Sequence, residues 1–288
     1  MTPLFTVPKN LEPFQHRVQV GQVGLHVYDT VQPQNRTFVL IHGLGDEADS
    51  WRKVFEPLSG FGRVVAPDLP GFGRSDHPRR AYTLEFYAET MAALLQTLKV
   101  SRAILVGNSM GAAVALRLTL RRPDLSERLV LVDGPPVRGK LSKAQMMFAL
   151  PGQGEKLYKG FRASQDAAYD SLRPYYGDLD SLSEADRAFL RERVWDRVWS
   201  DDQCRAYLST FRWMLLEGLR GHPRQSDLAS IQQPVHLIWG DSDRAIPLEA
   251  AQLLQGWMPR SQLSIIPNCG HLPQQERPEE LVRLVVGR

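Results

Sequence analysis

Apolar and polar positions along this chain fall into two regimes. From residue 17 to 132, and again from 234 to the end, short apolar runs alternate with stretches whose apolar positions recur at helical spacing. Residues 17–20 and 23–29 alternate apolar and polar positions around Gly21, which predicts a hairpin at a sheet edge. Residues 37–41, 63–66, 103–106, 128–132, 234–239 and 262–266 are near-continuous apolar runs, the pattern of strands covered on both faces. Helices are expected over 50–58 with Ser50 as N-cap, 83–98 with Thr83 as cap, 112–116, 248–258 and 278–286. In the second of these, Leu84, Tyr87, Ala88, Met91, Leu94, Leu95 and Leu98 share one side. Strands alternating with helices predict an α/β fold, a mostly parallel central sheet with helices on both faces.

Between residues 136 and 224 the alternation stops. Loops beyond roughly 15 residues are uncommon in compact domains, and the composition here is helical, over 142–150, 163–173, 183–199 and 203–219. Ser183 opens a Ser-x-x-Asp capping signal with Asp186. The expected organisation is a core built from residues 1–135 and 225–288, with residues 136–224 inserted as a helical cap. The cap holds an apolar supply in Met146, Met147, Phe148, Leu150, Trp195, Trp199, Phe211, Trp213, Met214 and Leu215. Most of these are expected to pack the cap onto the core and a few to line an apolar pocket.

Composition narrows the partners. The chain has 288 residues, 43% hydrophobic and 23% charged, with a net charge of +3. Basic residues are scattered or in short pairs such as Arg79-Arg80 and Arg121-Arg122, so no tract suits nucleic acid. No apolar run approaches the roughly 20 residues of a membrane span. The first ten residues lack the basic end and apolar core of a signal peptide. Cys204 and Cys269 form neither a disulfide framework nor a metal spacing. The expectation is a cytoplasmic protein acting on a small molecule without cofactor or metal.

The chemistry centres on Gly107-Asn108-Ser109-Met110-Gly111, set between an apolar strand and a small-residue helix. Strand, G-x-S-x-G, helix is the context of a nucleophile elbow, where glycines let strand and helix pass closely. Acyl transfer by serine also needs a base and a carboxylate to orient it. The chain offers Ser109, then Asp243, then His271, each just past a predicted strand. Asp241 and Asp133 are rival acids. Residues two apart in an extended stretch point the same way, so spacing leaves Asp241 and Asp243 equivalent. His16, His26, His77, His222 and His236 fall outside this pattern and read as surface or structural.

His42-Gly-Leu-Gly45, Asp68-Leu-Pro-Gly-Phe-Gly-Arg-Ser75, the Ser109 pentapeptide, Gly240-Asp-Ser-Asp-Arg-Ala-Ile-Pro247 and Gly270-His271 together resemble an α/β-hydrolase fold enzyme with a helical cap, over essentially the whole chain. The resemblance implies Asp243 as the acid, although some relatives hold it at the position of Asp133, where the following Gly134-Pro135-Pro136 reads as a cap-entry turn. It implies the backbone N–H groups of Leu44 and Met110 as oxyanion donors. His42 and Asp68 would tie neighbouring loops together. Serine at the elbow departs from relatives that open epoxides or remove halide, which carry aspartate there. Gly-Asn-Ser-Met-Gly is shared with relatives that hydrolyse carbon–carbon bonds of ring-fission products, although those usually carry a Ser-Gly-Pro-Gly loop where this chain has His42-Gly43-Leu44-Gly45. The implied activity is hydrolysis of carboxylic esters with apolar acyl groups, ahead of carbon–carbon hydrolysis and then thioester hydrolysis. A ligand-binding member of the fold without turnover is the alternative from another class.

Overall fold

Alternation of apolar side chains on both faces of short strands is realised as one eight-stranded sheet. The computed structural model describes residues 6–31, 36–136 and 143–287. The start of the N-terminal segment, the helix start expected at Ser142 and the last residue lie outside them. The strands are β1 (Gln15–Val20), β2 (Val23–Asp29), β3 (Thr37–Ile41), β4 (Arg63–Pro67), β5 (Ala103–Asn108), β6 (Ser126–Val132), β7 (Val235–Gly240) and β8 (Ser261–Ile266). Their order is β1-β2-β4-β3-β5-β6-β7-β8. β1 with β2 and β2 with β4 pair antiparallel, and every other pair is parallel. The alternating hairpin therefore lies at one edge and the apolar runs of β3 to β7 inside; β8, expected to be covered on both faces, is instead the opposite edge strand, with Ile265 exposed because no further strand among the described residues pairs beyond it.

The helices are α1 (Phe55–Ser59), α2 (Leu84–Thr97), α3 (Met110–Arg121), α4 (Lys143–Ala149), α5 (Gln153–Gly160), α6 (Gln165–Asp170), α7 (Glu184–Trp199), α8 (Asp201–Leu219), α9 (Gln225–Ala229), α10 (Leu248–Trp257), α11 (Pro273–Glu276) and α12 (Pro278–Val286). Period-two alternation sorts each inner strand between two cores. Val39, Ile41, Leu105, Leu237 and Trp239 join one cluster with α2, α3 and α10. Phe38, Leu40, Ile104, Val106 and Ile238 join the other with α1 and α12. The expected sheet with helices on both faces is what forms. Among the described residues, no helix is long and apolar enough to cross a membrane.

A helical insertion, α4 to α8, separates β6 from β7. Thr83 caps α2 through Phe86 N–H at 3.1 Å, and Ser183 caps α7 through Asp186 N–H at 3.1 Å, both as expected. Three expectations for helices need correction. Residues 50–58 are not one helix but a 3-10 turn, Ala48–Trp51, followed by the short α1. Ser50 caps nothing, because its hydroxyl accepts from Gln274 and Gln275. Residues 163–173 shrink to α6, since Ser164 caps at Ala167 N–H and Pro174 lies in the 3-10 turn that follows. α8 begins before Gln203 because Ser200 supplies the cap. The insertion touches the core through Ala206, Tyr207 and Met214. Of the aromatic supply, Phe148 and Trp195 pack within the insertion instead, and Met146, Met147, Leu150 and Trp199 are exposed.

Candidate active site

The parallel strands deliver their following loops to one end of the sheet, where ligands of open α/β sheets bind. Ser109 follows β5 with φ 56° and ψ −115°, a conformation that costs a side-chain-bearing residue energy and marks functional turns. The flanking glycines explain how the turn closes. A Cβ on Gly107 would lie 2.3 Å from the Gly111 carbonyl oxygen, and one on Gly111 would lie 2.1 Å from that of Ile41. Ser109 N–H donates to Val132 O at 2.9 Å, and its own carbonyl accepts from Ala112 N–H at 3.0 Å to start α3. Ser109 is half-buried between the fully buried Asn108 and Met110.

His271 and Asp243 meet. The imidazole Nδ1 lies 2.7 Å from Asp243 Oδ2. Asp243 Oδ1 accepts from the N–H groups of Ala245 and Ile246 at 2.7 and 2.9 Å. One oxygen therefore fixes the turn and the other is left for the histidine. Asp241 turns elsewhere: its Oδ1 accepts from Ser242 Oγ at 2.8 Å and Cys269 N–H at 3.4 Å. Asp133, at φ 46° after β6, does more than enter the insertion. Its Oδ1 accepts from Gly240 N–H at 2.9 Å. One oxygen each from Asp133 and Asp243 and a ring nitrogen of His271 lie within 4.8 Å of one another. Burial, and after it the charge of Asp243, push the Asp133 carboxyl well above the usual carboxylate range.

Four residues that hold this arrangement were given no role of their own by the sequence. Asn108 Nδ2 donates to His271 O at 3.0 Å, joining the elbow to the histidine loop. Gln274 Nε2 donates to Asn108 Oδ1 at 3.2 Å and to Ser50 Oγ at 3.1 Å. The Glu276 carboxylate accepts from Gly270 N–H and Gly177 N–H, both at 2.9 Å, so it bridges the histidine loop to the insertion. Tyr175 O accepts from His271 N–H at 2.8 Å, and the two rings lie 5.9 Å apart. The available signal was Pro273, which opens α11 at the position where proline is tolerated.

The loop after β3 carries Leu44, half-buried, while Met110 N–H is among the donors that the start of α3 leaves outside its own ladder. His42 Nδ1 contacts Gly43 O at 2.8 Å, and Nε2 accepts from Leu69 N–H at 2.9 Å. That pattern requires a neutral ring, and burial lowers the His42 pKa. Asp68 accepts from Ala48 and Arg74 N–H at 2.7 and 2.8 Å and lies 3.1 Å from His26. Both residues tie loops together, as the resemblance implied. A Cβ on Gly45 would meet the Tyr207 ring at 2.9 Å, so the insertion closes over this loop.

An ion cluster seats the insertion. Arg197 Nη2 contacts Asp46 at 3.0 Å and Glu47 at 2.9 Å, and Arg193 Nη2 contacts Asp49 at 2.9 Å. Arg52 and Lys53 both reach Asp186 at 2.6 Å. Burial pushes the Glu47 carboxyl up to about 7 against the pull of Arg197 and Arg193. A groove of about 320 Å³ on the insertion, lined among others by Glu155, Lys159, Asp201 and Arg212, includes none of Ser109, Asp243 and His271.

Comparison with known proteins gives the family. The model of the alpha/beta hydrolase fold family matches residues 36–278. A 2-hydroxy-6-oxononadienedioate/2-hydroxy-6-oxononatrienedioate hydrolase of Pseudomonas putida is 31% identical over 94% of this chain and 93% of its own length. The structure of a bacterial membrane phospholipase A described as a virulence factor superposes with a TM-score of 0.74 at 28% identity, covering 95% of this chain and 84% of that one. The 2-hydroxy-6-oxo-6-phenylhexa-2,4-dienoate hydrolase of Rhodococcus sp. strain RHA1 superposes with a TM-score of 0.81 at 22% identity, over 95% of this chain and 97% of that one, a likeness of fold.

Proposed function

The chain belongs to the α/β-hydrolase fold family, and from that premise we propose a serine hydrolase in which Ser109 is the nucleophile, His271 the base and Asp243 the orienting acid. The observation that carries this is the 2.7 Å contact between His271 Nδ1 and Asp243 Oδ2. Ser109 Oγ attacks a carbonyl carbon and gives its proton to Nε2 of His271, whose Nδ1–H Asp243 holds. The N–H groups of Leu44 and Met110 receive the oxyanion. Collapse of the tetrahedral intermediate breaks the scissile bond, and the leaving group takes the proton from His271. Water then repeats the sequence on the acyl-enzyme. The helical insertion serves as the cap, with Tyr175 and Tyr207 facing the site from it.

For the scissile bond, we favour the carbon–carbon bond beside the ketone of a 2-hydroxy-6-oxo dienoate. The 2-hydroxy dienol first ketonises, its O–H proton moving to C5; the leaving group is then a dienolate delocalised onto the C2 oxygen, and the proton of His271 ends there. The P. putida relative supports this class across nearly the whole chain, as does the Gly-Asn-Ser-Met-Gly elbow. That order reverses the expectation from the motifs alone, which put esters first. Ester hydrolysis stands as the second reading on the His42-Gly43-Leu44-Gly45 loop and the likeness to a phospholipase A. Side-by-side kcat/KM for a 2-hydroxy-6-oxo dienoate, followed by loss of its absorbance, and for p-nitrophenyl esters of graded chain length decides between them. The favoured reading expects the dienoate to lead by roughly 10²-fold or more; an equal lead for an ester replaces it with the second reading.

A further inference from the structure

Asp133 has no role in the mechanism above, yet it shares the room of Asp243 and His271. It is fully buried, with Oδ1 engaged by Gly240 N–H at 2.9 Å and Oδ2 without a hydrogen-bond partner. A buried ionised oxygen with no donor is costly, whereas a protonated one needs only an acceptor. The acceptor at hand is the Asp243 carboxylate, whose nearest oxygen and that of Asp133 lie within 4.8 Å, as does a ring nitrogen of His271. The backbone at Asp133 is left-handed, at φ 46°, which places an acid where most side chains are disfavoured.

We propose that Asp133 is a second carboxyl of the triad: it holds one proton shared with Asp243, and it can replace Asp243 in orienting His271. The inference rests on the triad reading and deepens it. With both acids present, the proton sits on Asp133 Oδ2 and the pair carries one negative charge, because two adjacent buried carboxylates cannot both ionise cheaply. When Asp243 is made neutral, the Asp133 proton leaves to solvent and the new carboxylate accepts Nδ1–H of His271. Asp133 thus acts through His271, as a positioning residue.

The groups facing Asp133 agree with this. From the loop after β7 comes Asp243; from the loop after β8, His271 and the buried Cys269; from α11, Glu276. His271 is the only base among them, and it is engaged by Asp243. Burial and the neighbouring acids raise the Asp133 pKa, with the Gly240 N–H opposing.

The test is a double-mutant cycle of Asp133→Asn and Asp243→Asn on the full chain. Asparagine keeps an acceptor for Gly240 at 133, tolerates a left-handed backbone, and keeps acceptors for Ala245 and Ile246 at 243. Turnover and the rate of fluorophosphonate labelling of Ser109 are measured from pH 5 to 9, with folding checked by melting. Asp243→Asn is expected to cost roughly 10²-fold with Asp133 present and roughly 10⁴-fold in the Asp133→Asn background. Activity of Asp243→Asn should also rise with pH along the ionisation of Asp133, a step missing from the double variant. Equal cost in both backgrounds, with no such step, overturns the inference and leaves the triad intact. Failure of the parent to label at Ser109 would overturn both. If the double variant does not fold, Asp133→Ser replaces Asp133→Asn in the cycle, with the same outcomes.

Discussion

The backbone N–H of His271 donates to the carbonyl of Tyr175 at 2.8 Å, and the tyrosine ring lies 5.9 Å from the imidazole. Asp243 holds the same ring at Nδ1. The imidazole is therefore oriented from the core and backed by the insertion. Burial raises the Tyr175 pKa with the Tyr207 hydroxyl opposing, and the Tyr207 ring abuts Gly45 in the loop carrying Leu44.

Tyr175→Ala should therefore slow the chemical step, by roughly tenfold in kcat, because the imidazole loses a wall while its backbone bond survives. Tyr175→Phe, which keeps the wall and loses only the hydroxyl, should lose less. Pre-steady-state acylation rates for the two variants decide it. Equal losses would place the effect in the hydroxyl pair with Tyr207.

Ser109 should be the one serine labelled by a fluorophosphonate, and Ser109→Ala should lower turnover by about 10⁴-fold or more. The labelled peptide is read by mass spectrometry. A folded Ser109→Ala protein that turns over at nearly the parent rate would remove the mechanism.

Asp241→Asn should keep kcat within about threefold of the parent and cost about 1 kcal/mol of stability. Its carboxylate accepts from Ser242 and the Cys269 N–H, and an amide oxygen still accepts from both. A collapse of kcat in folded Asp241→Asn would transfer the acid role from Asp243 to Asp241.

The strands, both layers of helices and the elbow were legible because each rests on local pattern. Apolar runs specify two-sided strands, and Gly107 and Gly111 are demanded by contacts under 2.5 Å. The choice between Asp241 and Asp243 was not legible from spacing. It depends on the turn at residues 243–246, where Ala245 and Ile246 occupy one oxygen of Asp243 and free the other. Ser50 read as a helix cap because its partners, Gln274 and Gln275, lie more than two hundred residues away. Tyr175 escaped for the same reason, since it meets His271 across a long gap in sequence that no local period records. Glu276 lies only six residues from Gly270, but its other partner, Gly177, is 99 residues away. Exposed Met146, Met147 and Trp199 show the converse, apolar residues in a helical pattern that do not join the core.

Arg197 should couple the seating of the insertion to pH. Glu47 is buried and its carboxyl is pushed up to about 7, with burial the main cause and Arg197 the main opposing one. In the unfolded chain a glutamate releases its proton near 4.3. Between those two values the native protein holds a proton that the unfolded chain has lost. Stability therefore falls as pH rises from about 4.3 to about 7 and levels off above. Removing Arg197 takes away the charge that lets Glu47 ionise, so the folded pKa rises further and the fall continues past 7. Arg197→Met should accordingly lose little stability at pH 5 from this source, where Glu47 is neutral in the native state. At pH 8 it should lose about 1.4 kcal/mol more, because taking up a proton on Glu47 caps the loss at about 1.4 kcal/mol for each pH unit above the parent value of about 7. Adding Glu47→Gln should flatten the difference between the two pH values. Urea unfolding at pH 5 and pH 8 for the parent, Arg197→Met and the double variant measures all of this. A loss from Arg197→Met that is the same at both pH values would mean that Asp46, which also contacts Arg197 at 3.0 Å, carries the contact instead of Glu47.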